Sequence, residues 1–327
     1  MQSVNYCIYA TVFNNVSTLE ESVKSIWRSD STIVITDNYS TDGTWERLQG
    51  LKKDYNLILY RLKSTRGKGR DYSLKHCPEN SITTYFDLDM RYNESFHKIL
   101  EWAPRDKRTL VNLVNGFVVK RETILEKGGW RDLNRAEDWE IVSRVGFDYF
   151  IPALTHAELR NELDRERRYA KGLKYYARRF RNKLDVIRGL GYNWSDMNVV
   201  YSKRSLQYKI FINAPSYILA KLIGIYRNYR EYNNGVGTIL SALDKMIDLK
   251  EIGVNDKYFL FGGYWGFFSA YNLDKIIDEK LPSKVGRVRK FICNDNGLRY
   301  VKTLEGFDII KLSSVLKDKL ECKEFNL

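Results

Sequence analysis

Two aspartates one residue apart, Asp87 and Asp89, close the apolar run of TTYFDLDMRY at residues 83–92. On a strand, residues two apart share a side, so both carboxylates would point the same way. Like charges held that close repel, and one carboxyl is driven toward its neutral form unless a cation lies between them. The pair reads as a metal site or as the solvated end of a strand. Upstream, STRGKGRDYSLKH (64–76) sets two glycines and three basic residues at the entry to a helix. Free backbone N–H groups and the helix dipole make such an entry a place for phosphate, with a solvated basic loop as the plain alternative. Downstream, Glu137-Asp138 follows Gly128-Gly129-Trp130 and opens the helical stretch AEDWEIVSRVG. Two acids in a first turn also simply favour the dipole.

The elements that must position these groups follow from periodicity. Strand patterns cover 5–13, 31–36, 56–62 and 81–89, and helical spacing covers 19–27, 41–53 and 67–77. Ser40 or Thr41 suits the N-cap of the second helix. Strand–helix alternation of this kind predicts a parallel sheet covered on both faces, of Rossmann type. Ligands of such sheets sit beyond the C-terminal strand ends, and Asn14, Asp37 and Asp89 each fall there. Asp37 and Asp42 also suit Asx-turns or caps before the second helix.

Beyond about Leu159 the pattern changes. Residues 160–189 read as one long helix with eleven Lys/Arg against four Asp/Glu and interleaved tyrosines. The apolar stretch 205–230 is interrupted by Lys209, Asn213, Pro215 and Lys221, which counts against a bilayer span and favours an interfacial or buried helix. The glycine-interrupted aromatic cluster 258–271 suits a membrane interface or a hydrophobic groove. A short β-containing module is expected beyond Pro282. The expected division is 1–158 for an α/β domain that carries the candidate site, 159–235 for a basic, aromatic, membrane-facing helical region, and 236–327 for a C-terminal helical and β-containing module.

Composition narrows the classes. Of the 327 residues, 43% are apolar and 29% charged, which describes a soluble globular chain. A net charge of +13 calls for an acidic partner: nucleic acid, anionic lipid heads or a phosphorylated ligand. The start, MQSVNYCIYATVF, lacks the pattern of a secretory leader. Cys7, Cys77, Cys293 and Cys322 lie far apart without a C-x-x-C pair, which speaks against a zinc site or a disulfide framework and fits a reducing compartment.

Four pieces in order, ATVFNN (10–15), ITDNYSTDGT (35–44), DLD (87–89) and GGWRDLNRAEDWEIVSR (128–144), resemble the inverting family 2 glycosyltransferases, whose donor-binding domain is the GT-A fold. The resemblance covers about residues 4–158. It implies a mixed, mainly parallel α/β sheet flanked by helices, and a nucleoside-diphosphate sugar as donor. It places Thr11, Phe13 and Asn14 in the first donor-side turn, with Thr11 where the family has proline. Asp37 is then expected on the nucleotide base, Gly67, Arg70 and Asp71 near the diphosphate, and Asp87 near the ribose. Asp89 becomes the direct ligand of a divalent metal, Mn2+ or Mg2+, and His156 a further ligand or a plain surface histidine. Gly129, Trp130 and Glu137 fall on the acceptor side, Trp130 stacking on a sugar or packing in the core. Asp138 becomes the general base. RERRY (165–169) is faintly similar to the Q-x-x-R-W motif of processive members but lacks its glutamine and tryptophan.

The acceptor is then a hydroxyl of a glycan or of a lipid-linked carrier, and the enzyme works in the cytoplasm or peripherally on an anionic membrane face. Two other readings compete. A sugar-phosphate nucleotidyltransferase would carry a glycine- and arginine-containing loop after the first strand, where ATVFNNVST has no glycine. A nucleic-acid-binding protein would explain the net charge, but not four aspartates that repel phosphate unless a metal intervenes.

Overall fold

The structure, a computed structural model, describes residues 5–103, 110–114, 116–159, 173–202, 204–226, 234–254, 258–293, 297–303 and 322–327. The chain forms two compact units, the first comprising residues 1–148 and 155–170, the second residues 149–154 and 171–327.

The elements from the start to residue 158 are β1 (Tyr6–Val12), α1 (Leu19–Ile26), β2 (Ser31–Asp37), α2 (Thr44–Leu51), β3 (Leu57–Arg61), α3 (Arg66–Lys75), β4 (Ile82–Tyr85), β5 (Met90–Tyr92), α4 (Glu94–Trp102), β6 (Leu110–Leu113), β7 (Gly116–Lys120), α5 (Arg121–Glu126), α6 (Glu137–Val145), β8 (Tyr149–Ile151) and β9 (His156–Glu158). All but β8 belong to the first unit. The central-sheet strands of this unit run in the order β3-β2-β1-β4-β7-β6. The first four are parallel, and β7 then pairs antiparallel with both β4 and β6. This is the mixed, mainly parallel α/β architecture expected.

β1 is buried along almost its whole length, as a central parallel strand covered on both faces must be. α1 buries Leu19, Ser22, Val23 and Ile26, one helical stripe. Register fixes the functional edge: Val12 lies opposite Asp37, and Asp37 opposite Arg61, so three strands end level. A separate two-stranded ladder sets Tyr92 opposite His156 and Met90 opposite Glu158.

Several expectations are corrected. The fourth strand ends at Tyr85, so Asp87 and Asp89 lie in a turn beyond it and not on a strand face. Side chains of α1 take over the backbone there: Thr18 Oγ1 donates to the Leu88 carbonyl (2.8 Å) and Ser22 Oγ to that of Asp87 (3.1 Å). The N-cap of α2 is Gly43, in the left-handed region, and not Ser40 or Thr41. The spacing argument against disulfides also fails. Cys7 is bonded to Cys77 and Cys293 to Cys322, each pair distant in sequence and adjacent in space, and the inference of a reducing compartment loses its basis.

In the second unit a helix at Leu173–Leu190 is followed by helices at Trp194–Val200, Leu206–Tyr208, Ala214–Ile223, Asn234–Asp244, Trp265–Ala270 and Leu273–Val285. The long basic helix expected from 160 is described only from Leu173, and RERRY lies outside the described residues. A four-stranded antiparallel sheet runs Tyr258–Tyr264, Gly297–Thr303, Arg289–Cys293, Cys322–Asn326. It begins before Pro282, which itself sits inside a helix. The aromatic cluster 258–271 supplies its packing: Phe261, Phe267 and Phe268 are buried, not presented to a membrane. No helix among the described residues is long and apolar enough to cross a membrane.

Candidate active site

The C-terminal edge of the parallel strands gathers most of the residues singled out by sequence. At the end of β2, Asp37 is fully buried. Its two oxygens accept the Ser40 amide (3.2 Å each), and Oδ2 also accepts Arg61 Nε (3.1 Å). Arg61 is sandwiched against the rings of Tyr39 and Trp45 at 4.8 and 4.9 Å. Sequence reasoning missed this arginine, although its place at the end of the neighbouring strand was a signal. Asp37 thus caps the backbone of the turn that follows it, accepting the amide three residues on, and its rigid setting also suits a group that reads a ligand.

The loop after β1 is laced to the loop after β2. Asn14, in the left-handed region, donates its amide to Ser40 Oγ (2.9 Å) and its Oδ1 accepts the Thr41 amide (2.9 Å). Asp42 accepts from the Val16 and Thr44 amides, the turn role weighed for it. Thr11 Oγ1 donates to the Thr36 carbonyl (3.1 Å), and Phe13 lies half-buried in the same loop.

Thr65 caps α3, its Oγ1 accepting from the Lys68 amide (3.2 Å). The first turn of this helix is pressed against the 131–133 segment. Gly67 donates its amide to the Leu133 carbonyl (2.9 Å), and a Cβ there would sit 2.0 Å from the Arg131 carbonyl oxygen. Asp71 faces the Gly129-Trp130 turn: its Oδ1 accepts the Trp130 amide at 2.9 Å, and its Oδ2 pairs with Lys75 at 2.7 Å. Gly129 has φ +66°, and a Cβ would fall 2.0 Å from Asp71 Oδ1. Gly67 and Asp71 therefore join the two halves of the site to one another. Trp130 is buried, donates Nε1 to Tyr9 Oη (3.0 Å) and packs edge-on against Tyr85, so of its two readings the structure shows core packing.

Arg70 is the centre of the arrangement. Only 1% exposed, it donates Nη2 to Asp87 Oδ1 (2.7 Å) and Nη1 to Glu137 Oε1 (2.9 Å), with its guanidinium 4.1 Å from the Tyr85 ring centre. One cation thus binds the first aspartate of D-L-D to the first acid of α6. Arg66, also unforeseen, reaches Glu137 Oε1 at 3.5 Å. Among the described residues Glu137 Oε2 is buried without a hydrogen-bond partner, pointing to capacity for one more donor.

The electrostatics separate the carboxylates. Burial works to raise the Asp87 carboxyl, but the charges of Arg70 and Arg66 outweigh it and hold it below the ordinary range. Asp138 is pushed up to about 6, first by burial and then by the charge of Glu137, with Arg70 opposing. Its Oδ1 accepts the Trp139 amide at 2.9 Å. A carboxyl near 6 is matched to taking a proton at neutral pH.

His156 enters through the β5–β9 ladder. It is buried beside the Tyr92 ring (5.3 Å between centres) with Nδ1 3.1 Å from Thr155 Oγ1. Burial lowers its pKa, against the pull of Asp87 and Asp89, so the imidazole is neutral and able to offer a lone pair. The Asp89 carbonyl accepts the Leu159 amide at 2.8 Å, which ties the D-L-D turn to this ladder. Two carboxylates and a neutral imidazole are donors of the right chemistry for Mn2+ or Mg2+. Among the described residues no group of three or more such side chains is placed to hold a metal ion, so an ion here would need further oxygens from a ligand or water.

Residues 7–150 match the model of a family described as Glycosyl transferase family 2. No curated protein matches the chain. Among solved structures it is similar to S. aureus TarS, at 12% identity over 75% of this chain and 51% of that one, with a TM-score of 0.45. It is also similar to the mannosyltransferase PcManGT from Pyrobaculum calidifontis in complex with GDP-Man and Mn2+, at 15% identity, 73% and 75% coverage and a TM-score of 0.42. A third is glucosyl-3-phosphoglycerate synthase from Mycobacterium tuberculosis in complex with Mn2+, UDP-Glc and phosphoglyceric acid, at 15% identity, 50% and 75% coverage and a TM-score of 0.37. The chain spans about half the length of that TarS chain.

Proposed function

We propose, for an enzyme whose residues 7–150 match the Glycosyl transferase family 2 model, that it moves a sugar from a nucleoside diphosphate to a hydroxyl acceptor with inversion at the anomeric carbon. The observation that carries this reading is the Arg70 bridge, which ties donor-side Asp87 to Glu137 and so sets Asp138, the next residue, beside it. Asp138 takes the proton of the acceptor hydroxyl as that oxygen attacks the anomeric carbon. The bond to the diphosphate breaks on the opposite face, so a single base suffices.

Asp37, fixed by Arg61 and Ser40, reads the base, and Asp87, kept anionic by Arg70, faces the ribose. Asp89, with His156 beside it, would hold a divalent cation, which when bound neutralises charge on the departing diphosphate. Glu137 offers its unpartnered Oε2 to the acceptor. The acceptor is a hydroxyl of a glycan or of a lipid-linked carrier.

The test uses a panel of UDP- and GDP-sugars, with binding followed by calorimetry and transfer by release of nucleoside diphosphate. Asp138→Asn is expected to bind the productive donor as the wild type does and to transfer at least a hundredfold more slowly, the usual worth of a positioned base being about 10²–10⁴. Transfer at the wild-type rate would remove Asp138 from the mechanism, and a chain that binds no nucleotide sugar would remove the reading itself.

A further inference from the structure

The helix at Ala214–Ile223, with the turn and short helix that precede it, is built inside out. The residues it buries, in packing against the helix at Leu173–Leu190, are Asn213, Ser216 and Ala220, one stripe of small or polar side chains. The residues it exposes are large and apolar. Phe211 is 71% exposed and Leu222 78%, and Leu206, Ile210, Ile218 and Ile223 are each more than half exposed. Phe211, Ile218 and Leu222 recur at helical spacing, so they form one ridge and not scattered contacts. Single exposed apolar residues need no explanation, but a continuous ridge of this kind marks a surface that is covered.

The charge around the ridge says by what. Residues 197–230 contain six Lys/Arg and no Asp or Glu. Arg204, before the ridge, and Lys221, between Ile218 and Leu222, are exposed, each over a tyrosine, Tyr208 and Tyr217, at 5.5 Å. Trp194 lies edge-on against Tyr217 at 5.4 Å and is itself partly exposed. Apolar side chains flanked by cations and amphipathic rings match the layers of a lipid interface: acyl chains, anionic headgroups, and the boundary between them. A second copy of this chain fits worse, because a twofold contact would set the same cations against themselves.

We propose that this face docks on a bilayer surface containing anionic lipid, with Phe211, Ile218 and Leu222 entering the acyl boundary and Arg204 and Lys221 meeting headgroup phosphates. The docking is independent of the sugar-transfer reading and is measured without it.

The full chain is sedimented with sucrose-loaded vesicles of phosphatidylcholine alone or mixed with phosphatidylglycerol. Binding to the anionic vesicles is expected, falling with salt, and much weaker binding to the neutral ones. Arg204→Gln and Lys221→Gln should each weaken anionic-vesicle binding about fivefold. Phe211→Asp with Leu222→Asp should abolish it while leaving the circular dichroism spectrum and urea midpoint unchanged, since both side chains are already exposed. The proposal is overturned if the wild type stays in the supernatant, if it sediments equally with neutral vesicles, or if the double variant binds as the wild type does. It is also overturned if the wild type proves a dimer that the double variant dissociates, which would assign the ridge to a second copy.

Discussion

Arg70→Met removes a buried cation held between two carboxylates while keeping most of the side-chain volume. Arg70 is 1% exposed and the Glu137 side chain 2%, so the variant leaves a carboxylate in a place that water does not reach. Breaking a buried pair by deleting one partner costs about 3–5 kcal/mol, most of it the stranded charge. Arg66 reaches the same oxygen, but at 3.5 Å and with a 36% exposed side chain, so it compensates little and the expected loss is about 3 kcal/mol. Adding Glu137→Gln removes the stranded charge, and the double variant should recover about half of that loss. Native-state hydrogen exchange of β1 and β4 amides reads the stability of this unit directly. A loss below about 1 kcal/mol in Arg70→Met would refute the reasoning, since the pair would then be no more than a surface contact. Additive costs in the double variant would refute it equally.

The rate of transfer should rise with pH through about 6 and level off above, because the Asp138 carboxyl must be ionised to accept a proton and its protonated form dominates below that value; a rate flat from pH 5 to 8 would exclude it as the base. Gly129→Ala places a Cβ against Asp71 at a left-handed position, and should cost about 1–3 kcal/mol by thermal unfolding, with the Trp130 fluorescence environment disturbed. The Cys7–Cys77 bond closes a loop 70 residues apart in sequence, and Cys77→Ser should lower stability by about 4 kcal/mol in the chain-entropy account, with non-reducing peptide mapping showing the linked pair in the wild type.

The first three strands were legible to within a residue and their helices to within a few, because alternation and helical spacing are local properties and the sheet they build is regular. The D-L-D segment was misplaced for a physical reason. The apolar run continues through Phe86 to Leu88, but the β1 ladder reaches only to Tyr85, and side chains of Thr18 and Ser22, some 65–70 residues away in sequence, take the next carbonyls. Arg70 is visible in the sequence as a basic residue at a helix entry, but the carboxylates it holds lie 17 and 67 residues away, and no spacing rule joins them. The cysteine pairs escaped in the same way. Cys7 and Cys77 meet because strand and crossover helix return the chain to one place, whereas motif reading sees only near neighbours. In the second unit Phe261, Phe267 and Phe268 of the 258–271 cluster pack inward while its Trp265 stays partly exposed, and the larger exposed ridge lies in 206–223. Composition reveals that apolar surface exists, and only packing reveals which side of it is covered.

Burial and charge together account for the unequal behaviour of two nearby aspartates. Arg70 lowers the pKa of both, yet Asp87 ends below the ordinary carboxylate range and Asp138 well above it. Burial raises both, first of all at Asp138, where the charge of Glu137 adds to it; at Asp87 the charges of Arg70 and Arg66 and a direct hydrogen bond from Arg70 outweigh it. One arm goes directly to Asp87, whereas the other goes to Glu137, so the cation that stands near Asp138 arrives already neutralised by a carboxylate that repels it. Environments that push two carboxyls apart are what acid–base chemistry at neutral pH requires, one group fixed as an anion and the other poised to exchange a proton. Glu137 is therefore more than a filler of the first helical turn. Its charge adds to the burial that raises the Asp138 carboxyl, the property the proposed base requires.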